Sequence, residues 1–208
     1  MYWCDLIEIE TMKKRICVYC SSSNALDKVY FNAANELATL MAARNHSLVY
    51  GGTNVGLMGE LARTIKSYNG EVIGIIPEKI RDKGIAFNQA DILVVTKNMR
   101  ERKAKMEEYA DAIITLPGGF GTLEEIFEMI TSKQLQFHNK PLVFLNVNNF
   151  YDRLFDFLEQ VYAHNFAKPV YKELYYIAND VQSAIKYIEE YDYDKVIDTE
   201  KWFEQKPV

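Results

Sequence analysis

The sequence predicts an α/β fold, with one parallel sheet covered by helices on both faces, and two observations carry it. Short, continuously apolar runs of strand length alternate with amphipathic stretches of about 10–18 residues, the pattern of buried parallel strands joined by crossover helices. Gly- or Ser-rich turns recur where the strands end. Lys14 to Cys20 reads as the first strand, closing on Ser21-Ser22-Ser23-Asn24. Asp27 to Arg44 is helical, with Ala33, Leu37, Leu40 and Met41 on one stripe. Ser47 to Tyr50 is a short buried strand ending in Gly51-Gly52-Thr53-Asn54-Val55-Gly56, and a helix follows from about Leu57 to Tyr68. Glu71 to Ile76 is the third strand, stopped by Pro77. A polar stretch leads to a fourth strand at Asp91–Val95 and a helix at Asn98–Tyr109. The strand at 111–116, a helix from Thr122 to about Phe137 and the strand Pro141–Leu145 continue the alternation, and helices near 150–164 and 180–191 close it. Residues 1–11 and 192–208 are expected to be extensions flanking one domain at 12–191.

Composition narrows the function. A chain of 208 residues is long enough for one well-buried core. Its net charge of −5 argues against non-specific nucleic-acid binding, which needs a basic footprint. No apolar run approaches the roughly 20 residues that cross a bilayer. The first ten residues lack the basic and apolar blocks of a secretory signal, so a cytoplasmic protein is expected. Cys4, Cys17 and Cys20 form no disulfide framework. Cys17 and Cys20 have C-x-x-C spacing, but they lie in a strand, where positions i and i+3 point to opposite faces. His46, His138 and His164 are scattered, so no metal is expected. Neither the Gly-x-Gly-x-x-Gly spacing of dinucleotide folds nor a Gly-Lys-Ser/Thr loop occurs, and no cofactor is expected.

The turn at 117–121 is the most informative segment. In Leu116-Pro-Gly-Gly-Phe-Gly-Thr-Leu-Glu-Glu125, an apolar strand opens through three glycines directly onto a helix. Such a turn lets a ligand approach the backbone, and the helix start offers unpaired N–H groups to a phosphate. Glu124 and Glu125 stand in the first helical turn. Two readings of Glu125 are open from spacing. Thr122-x-x-Glu125 is a capping box, with Glu125 returning to the Thr122 N–H, and the same carboxylate is placed for chemistry on a phosphorylated molecule. Asn98-x-x-Glu101 is a second capping box. Arg100, Arg102, Lys103 and Lys105 crowd the first two turns of that helix, where acids are favoured, which an anion bound nearby would offset.

Three segments together, Gly51-Gly-Thr-Asn-Val-Gly-Leu-Met-Gly59, Met99-Arg-Glu-Arg-Lys103 and Pro117-Gly-Gly-Phe-Gly-Thr-Leu-Glu-Glu125, resemble the Lonely Guy (LOG) family. Its members are cytokinin riboside 5′-monophosphate phosphoribohydrolases, often labelled lysine decarboxylases, and the resemblance spans roughly residues 13 to 190. It implies a Rossmann-like, doubly wound sheet and a homodimer. The implied reaction is hydrolysis of the N-glycosidic bond of nucleoside 5′-monophosphates bearing N6-modified adenine or adenine itself, giving free base and ribose 5-phosphate. The catalytic pair falls on Arg102 and Glu125. Substrate contacts fall on Lys103, Gly118, Gly119, Phe120, Gly121, Thr122, Glu124 and Thr131, with Gly52 and Met99 in the other matched segments and Ser22 in the turn after the first strand. The sequence departs from the family at Arg100, where histidine is common, at Thr53, where a third glycine is usual, and at Ser21, where the first strand usually ends Cys-Gly-Ser-Ser. A substrate-contacting glutamate falls on Gly84. These changes surround the base and ribose more than the phosphate. A nucleotide or molybdenum-cofactor carrier on the same fold is the alternative reading, and a non-catalytic interaction protein built on the tail is a third. A pyridoxal-dependent decarboxylase lacks any Schiff-base lysine context. The second acid is expected among Glu101, Glu124 and Glu128.

Overall fold

The computed structural model describes residues 12–195 and 197. Seven parallel strands form one sheet: β1 (Arg15–Tyr19), β2 (Ser47–Tyr50), β3 (Val72–Pro77), β4 (Ile92–Thr96), β5 (Ala112–Thr115), β6 (Leu142–Leu145) and β7 (Tyr176–Ala178). Their order across the sheet is β4-β3-β2-β1-β5-β6-β7. The chain therefore winds outward from β1 to β4, crosses back to β5 beside β1, and winds outward again. This is the doubly wound arrangement. The reversal places a crevice outside the carboxyl ends of β1 and β5, where ligands bind in such sheets. β1 pairs with β5 in the register Ile16 to Ala112 through Tyr19 to Thr115.

Successive strand residues face opposite layers, and each layer has its own apolar core. Ile16, Val18, Leu48, Tyr50 and Ile114 pack under α1 (Lys28–Ala43), α2 (Gly56–Ser67) and α7 (Val181–Glu189). Cys17, Tyr19, Val49, Ile75, Ile113 and Phe144 pack under α4 (Met99–Tyr109), α5 (Phe120–Gln134) and α6 (Asp152–Ala163). Cys17 and Cys20 thus belong to opposite layers, both as free thiols whose burial pushes their ionisation up.

The structure amends the expected elements in three places. The stretch after β3 is ordered: α3 (Glu78–Ile80) runs into a π-helical turn at Arg81–Ile85. Residues 85–87 then lie along the β2 turn, with Asn54 N–H donating to Ile85 O at 2.8 Å and Phe87 N–H to Gly52 O at 3.0 Å. The three-residue strand β7 was not anticipated. Of the expected tail at 192–208, Asp192–Lys195 and Ile197 are described and lean on the body. Asn139 Nδ2 donates to the carbonyls of Tyr193 and Lys195, and Lys195 pairs with Glu173 at 2.9 Å. The extension expected at 1–11 lies outside the described residues, as do positions 196 and 198–208. No helix among the described residues is long and apolar enough to cross a membrane.

Candidate active site

All three Gly- or Ser-rich turns stand at the carboxyl end of the sheet, but they differ in what is left open. The first N–H groups of α2 are occupied, Gly56 N–H by Asn24 Oδ1 at 2.8 Å and Leu57 N–H by Ser21 O at 3.0 Å. The turns after β1 and β2 therefore brace each other, and Ser22 is exposed on the first of them. α5 begins at Phe120 behind Gly119, and no side chain caps it. Its first N–H groups and the positive end of its dipole face the crevice. Gly119 and Gly121 border open space. Gly118 does not. A Cβ there would collide with the Thr122 side chain, which is buried and folds back onto the turn. Tyr151 fixes the same turn from beneath through Oη donating to Leu116 O at 2.8 Å.

The early start of α5 removes one of the two readings of Glu125, the helix cap. With Gly119 at the cap position, Thr122 is the third helical residue, and no capping box forms across 122–125. Glu125 instead accepts from Arg102 Nη1 at 2.5 Å, and the two side chains are 6% and 7% exposed. At the start of α4 the Asn98 half of the box forms, while Glu101 reaches one residue further back than a capping box requires. Asn98 Oδ1 accepts from Glu101 N–H at 2.9 Å, and Glu101 Oε2 accepts from Lys97 N–H at 2.8 Å.

Arg102 knits four elements together. Rising from α4, it donates through Nε to Ile75 O of β3 at 3.2 Å and reaches Glu125 of α5. Its Nη2 lies so close over Gly51, at the end of β2, that any Cβ there would collide with it. Gly51 thus serves the arginine, a role the sequence motif did not reveal. Burial raises the Glu125 carboxyl above its ordinary range, and the Arg102 charge and hydrogen bond oppose that rise. The pair is a carboxylate held in a dry place by one guanidinium.

The other expected residues fall into distinct places. Lys103 bridges Glu124 and Glu128 of α5, the latter at 2.7 Å, and its hydrogen bond to Glu124 raises its ionisation. The three candidates for a second acid are thereby engaged, Glu124 and Glu128 with Lys103 and Glu101 at the start of α4. Met99 and Phe120, the first residues of α4 and α5, are 46% and 93% exposed. Gly52 is buried and accepts from Phe87, so it packs rather than opens onto the crevice. Thr131 is not gathered into the site. It lies six residues beyond Glu125 on the Glu124–Glu128 face of α5, about 9 Å along the axis, and its hydroxyl donates to Phe127 O at 2.8 Å. Gly84 sits exposed in the π-helical turn. Among the described residues no group of three His, Cys, Asp or Glu side chains is placed to hold a metal ion.

Comparison with known proteins agrees with the matched segments. The family model described as "Possible lysine decarboxylase" matches residues 58–188. A cytokinin riboside 5′-monophosphate phosphoribohydrolase of Arabidopsis thaliana is 36% identical over 202 residues, covering 96% of this chain and 89% of its own length. A probable enzyme of the same name from Oryza sativa subsp. japonica is 40% identical over 178 residues, covering 86% and 78%. Among solved structures, the molybdenum cofactor binding protein from the phototrophic bacterium Rippkaea orientalis has a TM-score of 0.66 at 26% identity, over 86% of this chain and 96% of that one.

Proposed function

The chain belongs to the family described as possible lysine decarboxylases, the Lonely Guy (LOG) family, and from that membership we propose that it hydrolyses the N-glycosidic bond of adenosine 5′-monophosphates, including N6-modified ones. The observation that carries the reading is the buried Arg102–Glu125 pair beside the uncapped start of α5. Glycosidic cleavage passes through an oxocarbenium-like state, which requires a fixed sugar phosphate and negative charge at the anomeric carbon. In this reading the N–H groups of Phe120, Gly121 and Thr122 and the open flank of Gly119 hold the 5′-phosphate. Glu125 faces the anomeric carbon, stabilises the developing cation and activates water. Arg102 keeps that carboxylate ionised and orients it, with a planar fork that lysine cannot supply. Phe120 and Met99 offer exposed apolar surface to the base, while Lys103 positions α5 through its two glutamates. With Glu101, Glu124 and Glu128 engaged elsewhere, the departing base takes its proton from water. Thr131 and Gly52 have no role here beyond support.

The proposed form is a cytoplasmic homodimer. The exposed edge strand β4, with Ile92 and Val95 about 40% exposed, supports self-association. Light scattering on the eluting protein reads this directly.

Incubating the pure protein with AMP and with isopentenyladenine riboside monophosphate tests the function. Release of ribose 5-phosphate from either is expected, and the ratio of free bases reports the preferred substrate. Binding of either nucleotide with no release would instead favour a binding protein without turnover, in line with the molybdenum cofactor binding protein of Rippkaea orientalis.

A further inference from the structure

At the end of the sheet opposite Arg102 and Glu125, the last turn of α5 buries a second charge. Lys133 is 3% exposed. Its ammonium donates to Lys140 O at 3.0 Å and to Tyr191 Oη at 2.8 Å, and lies 4.9 Å from the centre of the Tyr191 ring. Tyr191 Oη gives its own proton to Asn139 Oδ1 at 3.0 Å, so the phenol is a neutral acceptor and not a counterion. Among the described residues no carboxylate pairs with Lys133. Burial, and after it the charge of Lys195, brings the Lys133 ammonium down to about 8. An ammonium has three protons, and two are placed. Buried charges are ordinarily matched by an opposite charge, and among the described residues this one is not.

Lys133 lines a cavity of about 300 Å³, together with His138, Asn139, Leu174, Tyr193 and Ile197. No described residue of that lining is acidic. His138 adds no charge. Its Nδ1 accepts from Lys140 N–H at 3.1 Å, so Nε2 carries the proton and donates to Met129 O at 3.0 Å, and burial holds the ring down to about 4. The described walls thus present one cation, no anion, the side-chain amides of Gln136 and Asn139, and apolar surface from Leu174, Ile197 and the Tyr193 ring. The volume equals that of about ten liquid waters.

We propose that this cavity is a second ligand site, separate from the nucleotide crevice, that takes a small monocarboxylate with a compact apolar body. The carboxylate receives the third proton of Lys133 Nζ, and the apolar body lies against Leu174, Ile197 and Tyr193. One cation and apolar walls favour this chemistry over a phosphate dianion. An anion beside the ammonium favours its charged form, so binding takes up a proton above about pH 8. Affinity then falls roughly tenfold per pH unit beyond that point.

Titration calorimetry of the full chain with sodium benzoate, in the presence of saturating ribose 5-phosphate, tests the site without relying on the nucleotide reading. The expected result is one benzoate per chain, fractional proton uptake at pH 8.5 read from two buffers of different ionisation enthalpy, and at least tenfold weaker binding at pH 9.5 than at pH 7. Benzyl alcohol and inorganic phosphate bind at least tenfold more weakly, and Lys133→Met lowers benzoate affinity at least tenfold. Absence of binding, displacement by ribose 5-phosphate, binding without proton uptake, or retention of affinity in Lys133→Met would overturn the proposal. The proton-uptake measurement uses the unaltered protein, so it decides even where the variant does not fold.

Discussion

The two ends of α5 bury one charge each, and they treat it in opposite ways. At the amino end Glu125 meets a guanidinium that reaches over from α4. At the carboxyl end the described partners of Lys133 are a carbonyl and a phenol. Burial pushes both groups toward neutrality, the acid upward and the base downward. Arg102 resists that push on Glu125 with a full opposite charge, while no described carboxylate does so for Lys133. The helix dipole favours both placements, an acid near its positive end and a base near its negative end, but only by fractions of a kcal/mol to about 1 kcal/mol. A partnered charge can stay ionised where water is excluded, which glycosidic chemistry needs. An unpartnered one leaves room for an anion from outside.

Breaking the partnered end has the largest expected consequence. Glu125→Gln keeps the shape of the side chain and removes its charge, and kcat should fall at least ~100-fold while nucleotide binding survives in a binding titration. If activity stayed within a few-fold, the carboxylate would be structural. Gly51→Ala leaves Glu125 in place but drives a methyl group into the Arg102 guanidinium. A displacement of that kind costs up to about 100-fold in kcat/KM. The same contrast has a pH signature. Because burial raises the Glu125 carboxyl above the ordinary glutamate range, activity that needs it ionised should fall, as pH drops, at a higher pH than an ordinary glutamate gives. Arg102→Met removes the opposing charge, so the acid limb of the kcat/KM profile of whatever activity remains should move higher still.

Smaller effects belong to the other end. Lys133→Met removes an unpaired buried charge. A fall from 10.5 to about 8 corresponds to roughly 3 kcal/mol of destabilisation at pH 7, and the two lost hydrogen bonds offset about 1–2 kcal/mol of the gain. A net stabilisation of about 1–2 kcal/mol is expected in urea denaturation near neutrality. Wild-type stability should itself rise between about pH 8 and 10.5, because there the unfolded lysine holds a proton that the folded one has released, so the advantage of the variant shrinks. The smallest change is Asn98→Ala, which deletes the α4 cap and should cost about 1 kcal/mol of stability.

Much of the sheet was legible because buried parallel strands are continuous apolar runs. Ser47–Tyr50 is found where the apolar run places it, and the other strands through β6 agree within one or two residues. β7 was missed because three residues, Tyr176–Ala178, are too few for a periodicity, and its neighbour β6 supplies its order. The π-helical turn at Arg81–Ile85 escaped because its polar residues follow neither period, while its place is set by pairing with the β2 turn. In the site, the glycines and the Arg102–Glu125 pairing were legible through the matched segments. The role of Glu125 was not legible from spacing alone, since a capping box depends on where the helix begins, and Gly119 moves that start two residues back. Thr131, six residues beyond Glu125, stands apart from the buried pair and bonds Phe127 O instead. Lys133 left no sequence signal at all, because its burial is made by Tyr191 and by the loop that carries Asn139 and Lys140.

The adjacency of β1 and β5 also sets an order of assembly. Strands β1 to β4 neighbour one another as they follow in the chain, whereas Ile16 meets Ala112 only after the intervening hundred or so residues have folded back. Closing so long a loop is slow even when its entropic cost is modest. Arg102 is therefore synthesised and placed on α4 before the strand that positions Glu125 has found its neighbour. A chain that ends before α5 holds the guanidinium without its acid, and the buried pair is completed only when the returning strand docks beside the first.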